Sequence, residues 1–214
     1  MHLVPPAVLS LAAAALISAQ PQRADELVGR WQGSIGQDQT RTDVVLDFFP
    51  NGTYARRVSV TTEFGWTQEG DILLLAPAID KKNNDITYGK ATVVSMKLSD
   101  DLLTIADAKQ SISMKRATAP VNESKLIGRW EGQSEMNEGI IQDFLSDGRL
   151  MVTVTLAREA GRYSIKDSKI SWEVQIPQPH KTKSRFRMEG NKLVMFLTDD
   201  IPALEMTRME IRPQ

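Results

Sequence analysis

Side chains able to carry out chemistry are few in this sequence, and they do not cluster. His180 sits in the Pro-rich run "PQPHK" and is the only histidine after His2. A metal or catalytic centre needs converging ligands, or a base beside its nucleophile, so a solitary loop histidine reads as solvated. Asp100-Asp101 and Asp199-Asp200 are adjacent pairs in turn-like stretches. Acid–base catalysis needs two carboxylates facing one cavity from different elements, so both pairs read as hairpin turns. The chain has no cysteine, which excludes thiolate chemistry and disulfides. Phosphate loops, nucleophile elbows and metal-ligand spacings do not occur in it. The expectation is a protein that is not an enzyme and uses neither cofactor nor metal.

Cations give more to work with. In "HKTKSRFRM", Lys181, Lys183, Arg185 and Arg187 alternate with Thr182, Ser184, Phe186 and Met188. On a strand, successive side chains point to opposite faces, so the four cations form one outward stripe. Such a stripe is either a solvated outer face or a contact for lipid phosphate, polysaccharide sulfate or an acidic protein. Arg56 is the other cation of interest, and its meaning depends on the elements around it.

Those elements repeat. "LVGRW" (Leu27 to Trp31) returns as "LIGRW" (Leu126 to Trp130), and "DFFPNGTY" from Asp47 returns as "DFLSDGRL" from Asp143. "SMKR" at Ser113 to Arg116 is answered by "EMTR" at Glu205 to Arg208. A repeat of this kind predicts two tandem domains, residues 25–118 and 124–212, with a linker at 119–123. Apolar residues alternate with period two: Leu150, Val152, Val154 and Leu156 share one face, and Ile170, Trp172, Val174 and Ile176 share another. Turn signals such as Asn51-Gly52, Asp147-Gly148 and Gly190-Asn191 punctuate these runs. The expected fold is all-β, with about eight strands per repeat closed as an up-and-down barrel and one helical turn at Ala24 to Val28.

A G-x-W motif on the first strand with an arginine on the last resembles the lipocalin and calycin barrels. The resemblance implies an arginine lying across a tryptophan ring at the closed end, pairing Trp31 with Arg116 and Trp130 with Arg208. It also implies a ligand-binding barrel. Aligned through Gly52 and Gly148, Arg56 falls at the position of Val152 on the interior face. There it either snorkels out beside Trp66 at the closed end or anchors a ligand carboxylate, as in some fatty-acid carriers of that superfamily. The mouth is expected at the Ser34 to Thr42 and Pro77 to Thr87 loops, with Phe64, Tyr88 and Lys90 beside it. A second implied role is a calycin-type periplasmic protease inhibitor that inserts Gln20 to Glu26 into its target.

The chain has 214 residues and a formal charge of −1. Lys and Arg number 12 against 13 acidic residues in 20–118, and 14 against 14 in 119–214, so neither half has the basic excess of a nucleic-acid binder. The uncharged opening "MHLVPPAVLSLAAAALISAQ" reads as a signal peptide over residues 1–19, its apolar run being too short to span a bilayer. Export to the periplasm or medium follows, with no transmembrane segment in the mature chain. Ile72, Leu74 and Val93 fall on one outer face of the first repeat, which predicts a monomer whose two domains meet there.

Overall fold

The computed structural model describes residues 24–37, 40–82, 85–117, 125–133, 139–196 and 204–209. The expected leader 1–19, the linker 119–123 and the pair Asp199-Asp200 lie outside these residues. The fold is all-β, one large antiparallel sheet after a single helical turn α1 (Ala24–Leu27). Strands β1 (Gly29–Gln37), β2 (Thr40–Phe48), β3 (Thr53–Glu69) and β4 (Ile72–Lys82) come first. They are followed by β5 (Asp85–Tyr88), β6 (Thr92–Leu98), β7 (Leu102–Ala106) and β8 (Ser111–Arg116). The second segment supplies β9 (Gly128–Gln133), β10 (Gly139–Phe144), β11 (Arg149–Lys166) and β12 (Lys169–Ile176). It ends with β13 (His180–Glu189), β14 (Lys192–Phe196) and β15 (Leu204–Met209).

The sheet closes on itself through two strands of double length. β3 has 17 residues and β11 has 18, and they pair with each other from Arg149↔Gly65 to Arg162↔Thr53. On its other edge, β3 pairs with β2 over residues 54–62 and then with β4 over 64–69. Likewise β11 pairs with β10 over 150–154 and with β12 over 160–166. From β3, the neighbours β2, β1, β15, β14, β13, β12 and β11 lead back to β3, a ring of eight strands. The neighbours β4, β6, β7, β8, β9, β10 and β11 also lead back to it, a second ring of eight. The halves correspond across the shared strands: Trp66 N–H donates to the Gly148 carbonyl (2.8 Å), and Tyr163 N–H donates to that of Gly52 (2.9 Å).

Each ring draws strands from both sequence segments, so neither coincides with residues 25–118 or 124–212. Burial follows the rings. One core joins Trp31, Leu46, Phe48 and Tyr54 to Tyr163, Ile170, Trp172, Phe186 and Met206. The other joins Leu73, Met96, Leu103 and Met114 to Trp130, Ile140, Phe144 and Leu150. Side chains from distant parts of the sequence thus exclude water together, and neither segment encloses a core by itself.

Three expectations need correction. The aromatic–cation pairs are exchanged: Arg208 lies over Trp31 at 4.4 Å and Arg116 over Trp130 at 4.1 Å. The exchange follows from strand order, since β1 pairs with β15 and β8 with β9. Ile72 and Val93 do not form an interdomain contact; they are 43% and 60% exposed, with Leu74 half-buried. The segments are joined through the continuous β3–β11 wall instead, which leaves the outer face of β4 and β6 to solvent. Leu156 does not continue the face of Leu150, Val152 and Val154. A register shift between Thr155 and Ala157 reverses the alternation, and Leu156 is exposed.

Candidate ligand-binding site

The closed end of each ring explains the recurring L-x-G-R-W motif residue by residue. Trp31 and Trp130 are fully buried, and each donates its indole N–H to a carbonyl four residues back: Leu27 (2.7 Å) and Leu126 (2.8 Å). Gly29 and Gly128 have φ of 132° and 126°, a conformation that favours glycine. Arg30 makes a bidentate pair with Asp47 (2.7 and 3.1 Å), and Arg129 makes one with Asp143 (3.0 and 3.1 Å). Arg208 also donates to the carbonyls of Val28 (2.7 Å) and Glu26, tying the α1 turn onto its ring. Arg116 donates to the carbonyls of Asp100 (3.2 Å), Ile127 (3.4 Å) and Lys125. The sequence reading missed the Arg30–Asp47 and Arg129–Asp143 pairs, although all four residues lie within the repeated stretches.

The opposite end of the Trp31 ring holds a cavity of about 320 Å³. Its walls are mostly apolar, with Val44, Leu46, Val58, Trp172, Met195 and Leu204 among them. Thr42 borders it from β2; His180, Thr182 and Ser184 border it from β13. Ser184 Oγ accepts the Trp172 indole N–H at 3.0 Å. His180 Nδ1 lies 2.9 Å from the Gln178 carbonyl.

Arg56 and Glu159 meet in this cavity wall. Their positions are opposed across β3 and β11, and Arg56 Nη2 is bonded to Glu159 Oε2. Tyr54 donates its phenol to Glu159 Oε1 at 2.5 Å. Burial, and then that bond, push the Tyr54 phenol well above its ordinary range and hold it protonated at neutral pH. Arg56, its side chain still 38% exposed, is therefore not beside Trp66, which packs in the other ring edge-on to Phe144. Its charge is balanced by an acid from the far segment. Its Nε, a buried atom, has no hydrogen-bond partner among the described residues.

The other expected mouth residues do not gather here. Phe64 packs into the core of the Trp130 ring, because β3 has passed from β2 to β4 by that point. Tyr88 lays its ring over Gly65, where an added Cβ would come within 3.2 Å of it. Burial first and the nearby Glu63 carboxylate second raise the Tyr88 phenol pKa. Lys90 is exposed beyond β5.

Where the rings meet, the shared wall carries a polar seam that the sequence reading did not find. Ser59, Thr61 and Glu63 are buried. Thr61 Oγ1 is 2.9 Å from Thr153 Oγ1, and Arg149 Nη1 is 3.7 Å from Glu63 Oε1. The only signal in the sequence was a polar alternation inside a long apolar-patterned run.

The cationic stripe is outward-facing. Lys181, Lys183, Arg185 and Arg187 are exposed, while Ser184 and Phe186 point into the ring. Lys181 pairs with Glu173 at 3.4 Å and Arg187 with Glu189 at 2.8 Å; Arg185 lies 5.6 Å from the centre of the Phe196 ring. Among the described residues no group of three His, Cys, Asp or Glu side chains is placed to hold a metal ion. No helix among the described residues is long and apolar enough to cross a membrane. Comparison with models of protein families, with curated proteins and with solved structures found no match.

Proposed function

We propose that this chain is an exported, non-catalytic binding protein built from two lipocalin-like barrels, with its ligand site in the cavity of the Trp31 ring. The observation that carries this reading is the cavity itself: about 320 Å³, apolar-walled, with one internally balanced ion pair. That volume is at the small end of ligand pockets, which run from ~300 to ~1,000 Å³. Apolar walls supply affinity by excluding water, and a few polar groups fix orientation. Because Glu159 already neutralises Arg56, a ligand carboxylate would have to displace a shielded acid to reach the guanidinium. The favoured ligand is a small, mainly apolar molecule whose uncharged acceptor meets the free Arg56 Nε–H. The inhibitor reading is less favoured, since Arg208 holds the carbonyls of Glu26 and Val28 and restrains the end of the segment that would insert.

Native mass spectrometry of protein from its own host, followed by tryptophan-fluorescence titration with medium-chain alcohols, esters and carboxylates, tests the proposal. Esters and alcohols are expected to perturb the emission of Trp172, and Leu46→Trp, which fills the cavity, is expected to abolish the response while the fold is retained. If no compound in the series changes fluorescence or thermal stability, the binding role fails. Tightest binding by the carboxylates would instead overturn the reading of Arg56.

A further inference from the structure

Beyond the cavity, the outer face of the Trp31 ring carries an arrangement that its own fold does not explain. Register places Lys166 opposite Lys169, and Lys169 opposite Arg185, so three cations stand in one row across β11, β12 and β13. All three are exposed. Neighbouring strands are ~4.8 Å apart, and like charges directly opposed on one face are destabilising. The next row on this face is Ser164, Ser171 and Lys183. Both serines line a shallow groove of about 560 Å³ together with Arg162, Glu173, Lys181 and Lys183. Among the described residues, Lys166, Lys169 and Lys183 make no ion pair. Among the described residues no acid therefore relieves the opposition of Lys166 and Lys169, in contrast to Lys181 and Arg187 at the ends of the stripe.

We infer that this face binds an acidic polysaccharide, with Lys166, Lys169 and the adjacent Lys183 meeting its anionic groups and Ser164 and Ser171 its hydroxyls. Charge complementarity selects a polyanion, and the composition of the face narrows the kind. A membrane-binding face presents large apolar side chains for insertion, and a protein interface has an apolar or aromatic core. The outward residues of these two rows are cations and serines, and the buried side chains beneath them point into the ring. Hydroxyls beside cations on a flat, open groove suit a chain of polyhydroxylated, charged rings.

Calorimetric titration of the full chain with dextran sulfate, beside uncharged dextran, is the test. Binding is expected to dextran sulfate alone, and to weaken as salt rises because the contacts are exposed ion pairs. Lys169→Glu and Lys183→Glu should each weaken it about tenfold, while Lys115→Glu, a charge reversal on β8 of the other ring, should not. Lys169→Glu should also raise the melting temperature of the unliganded protein by removing like-charge contacts, a gain that mere loss of folding cannot imitate. Equal binding by Lys169→Glu and wild type, an equal effect of Lys115→Glu, or no binding to dextran sulfate would overturn the proposal. So would tighter binding to phosphatidylglycerol vesicles or to oligothymidylate, which would assign the face to a lipid surface or a nucleic acid.

Discussion

At the scale of single residues, the most informative contact is the guanidinium over each indole. Arg208 touches Trp31, 177 positions before it, and Arg116 touches Trp130, 14 positions after it, so each contact joins the two repeats. A cation over an indole contributes ~1 kcal/mol, and ~2 when shielded from water. A double-mutant cycle on Arg208→Met and Trp31→Phe should therefore give a coupling of about 1 kcal/mol, and one on Arg116→Met and Trp31→Phe a coupling near zero. Denaturant unfolding reads both, and equal couplings would contradict the exchanged pairing. The parts of these contacts were legible in the sequence, because the residue types recur in both repeats. Their partners were not, since the repeat describes two equivalent ways of matching two arginines with two tryptophans. Arg56 shows the same limit. Its type and inward-facing position were readable, but Glu159 lies 103 residues away, and its alignment depends on a register shift in β11 that no local pattern announces.

At the scale of elements, period-two alternation identified the β12 strand, where Ile170, Trp172 and Val174 point inward, but not its end, where Ile176, expected on the same face, is exposed. The length of β3 and β11 was the clue that alternation did not use. No turn residue pair interrupts Thr53 to Glu69, a run twice as long as a strand of a small barrel needs. The hairpin leaving β11 also escaped notice, for a physical reason. Its turn is Asp167-Ser168, with φ of 50° and 57°, a tight connection of two left-handed residues without the usual glycine. Serine in that conformation costs ~1–2 kcal/mol, whereas aspartate tolerates it better. Part of that gain is offset by the greater freedom of glycine in the unfolded chain. Ser168→Gly is thus expected to stabilise the protein by about 0.5–1 kcal/mol, seen as a higher denaturant midpoint with an unchanged slope. An unchanged or lower midpoint would mean that the turn is not strained.

At the scale of the whole molecule, the exchange of strands decides what can fold alone. The first segment, β1 to β8, contains every strand needed for one barrel in sequence, yet β1 closes on β15 and β8 on β9. To close by itself it would have to bend β3 sharply between the part that pairs with β2 and the part that pairs with β4. It would also lose its cross-segment ion pairs. Arg56 and Tyr54 depend on Glu159, and Glu63 depends on Arg149. Glu159 and Glu63 are largely buried, 11% and 3% exposed, while Arg56 and Arg149 are 38% and 37% exposed, so solvent screens the loss of either partner to less than the ~3–5 kcal/mol of a fully buried pair. Each segment still has a specific reason to prefer the other over a second copy of itself. Residues 20–118 and 119–214 made as separate fragments should therefore associate one to one when mixed and unfold as a single cooperative unit, while neither alone gives a compact monomer. Light scattering coupled to size exclusion, with thermal unfolding of each fragment and of the mixture, reads this directly. Two fragments that each fold as stable monomers and do not bind one another would show that the rings close within each segment in solution, and that the continuous β3–β11 wall is not what holds the molecule together.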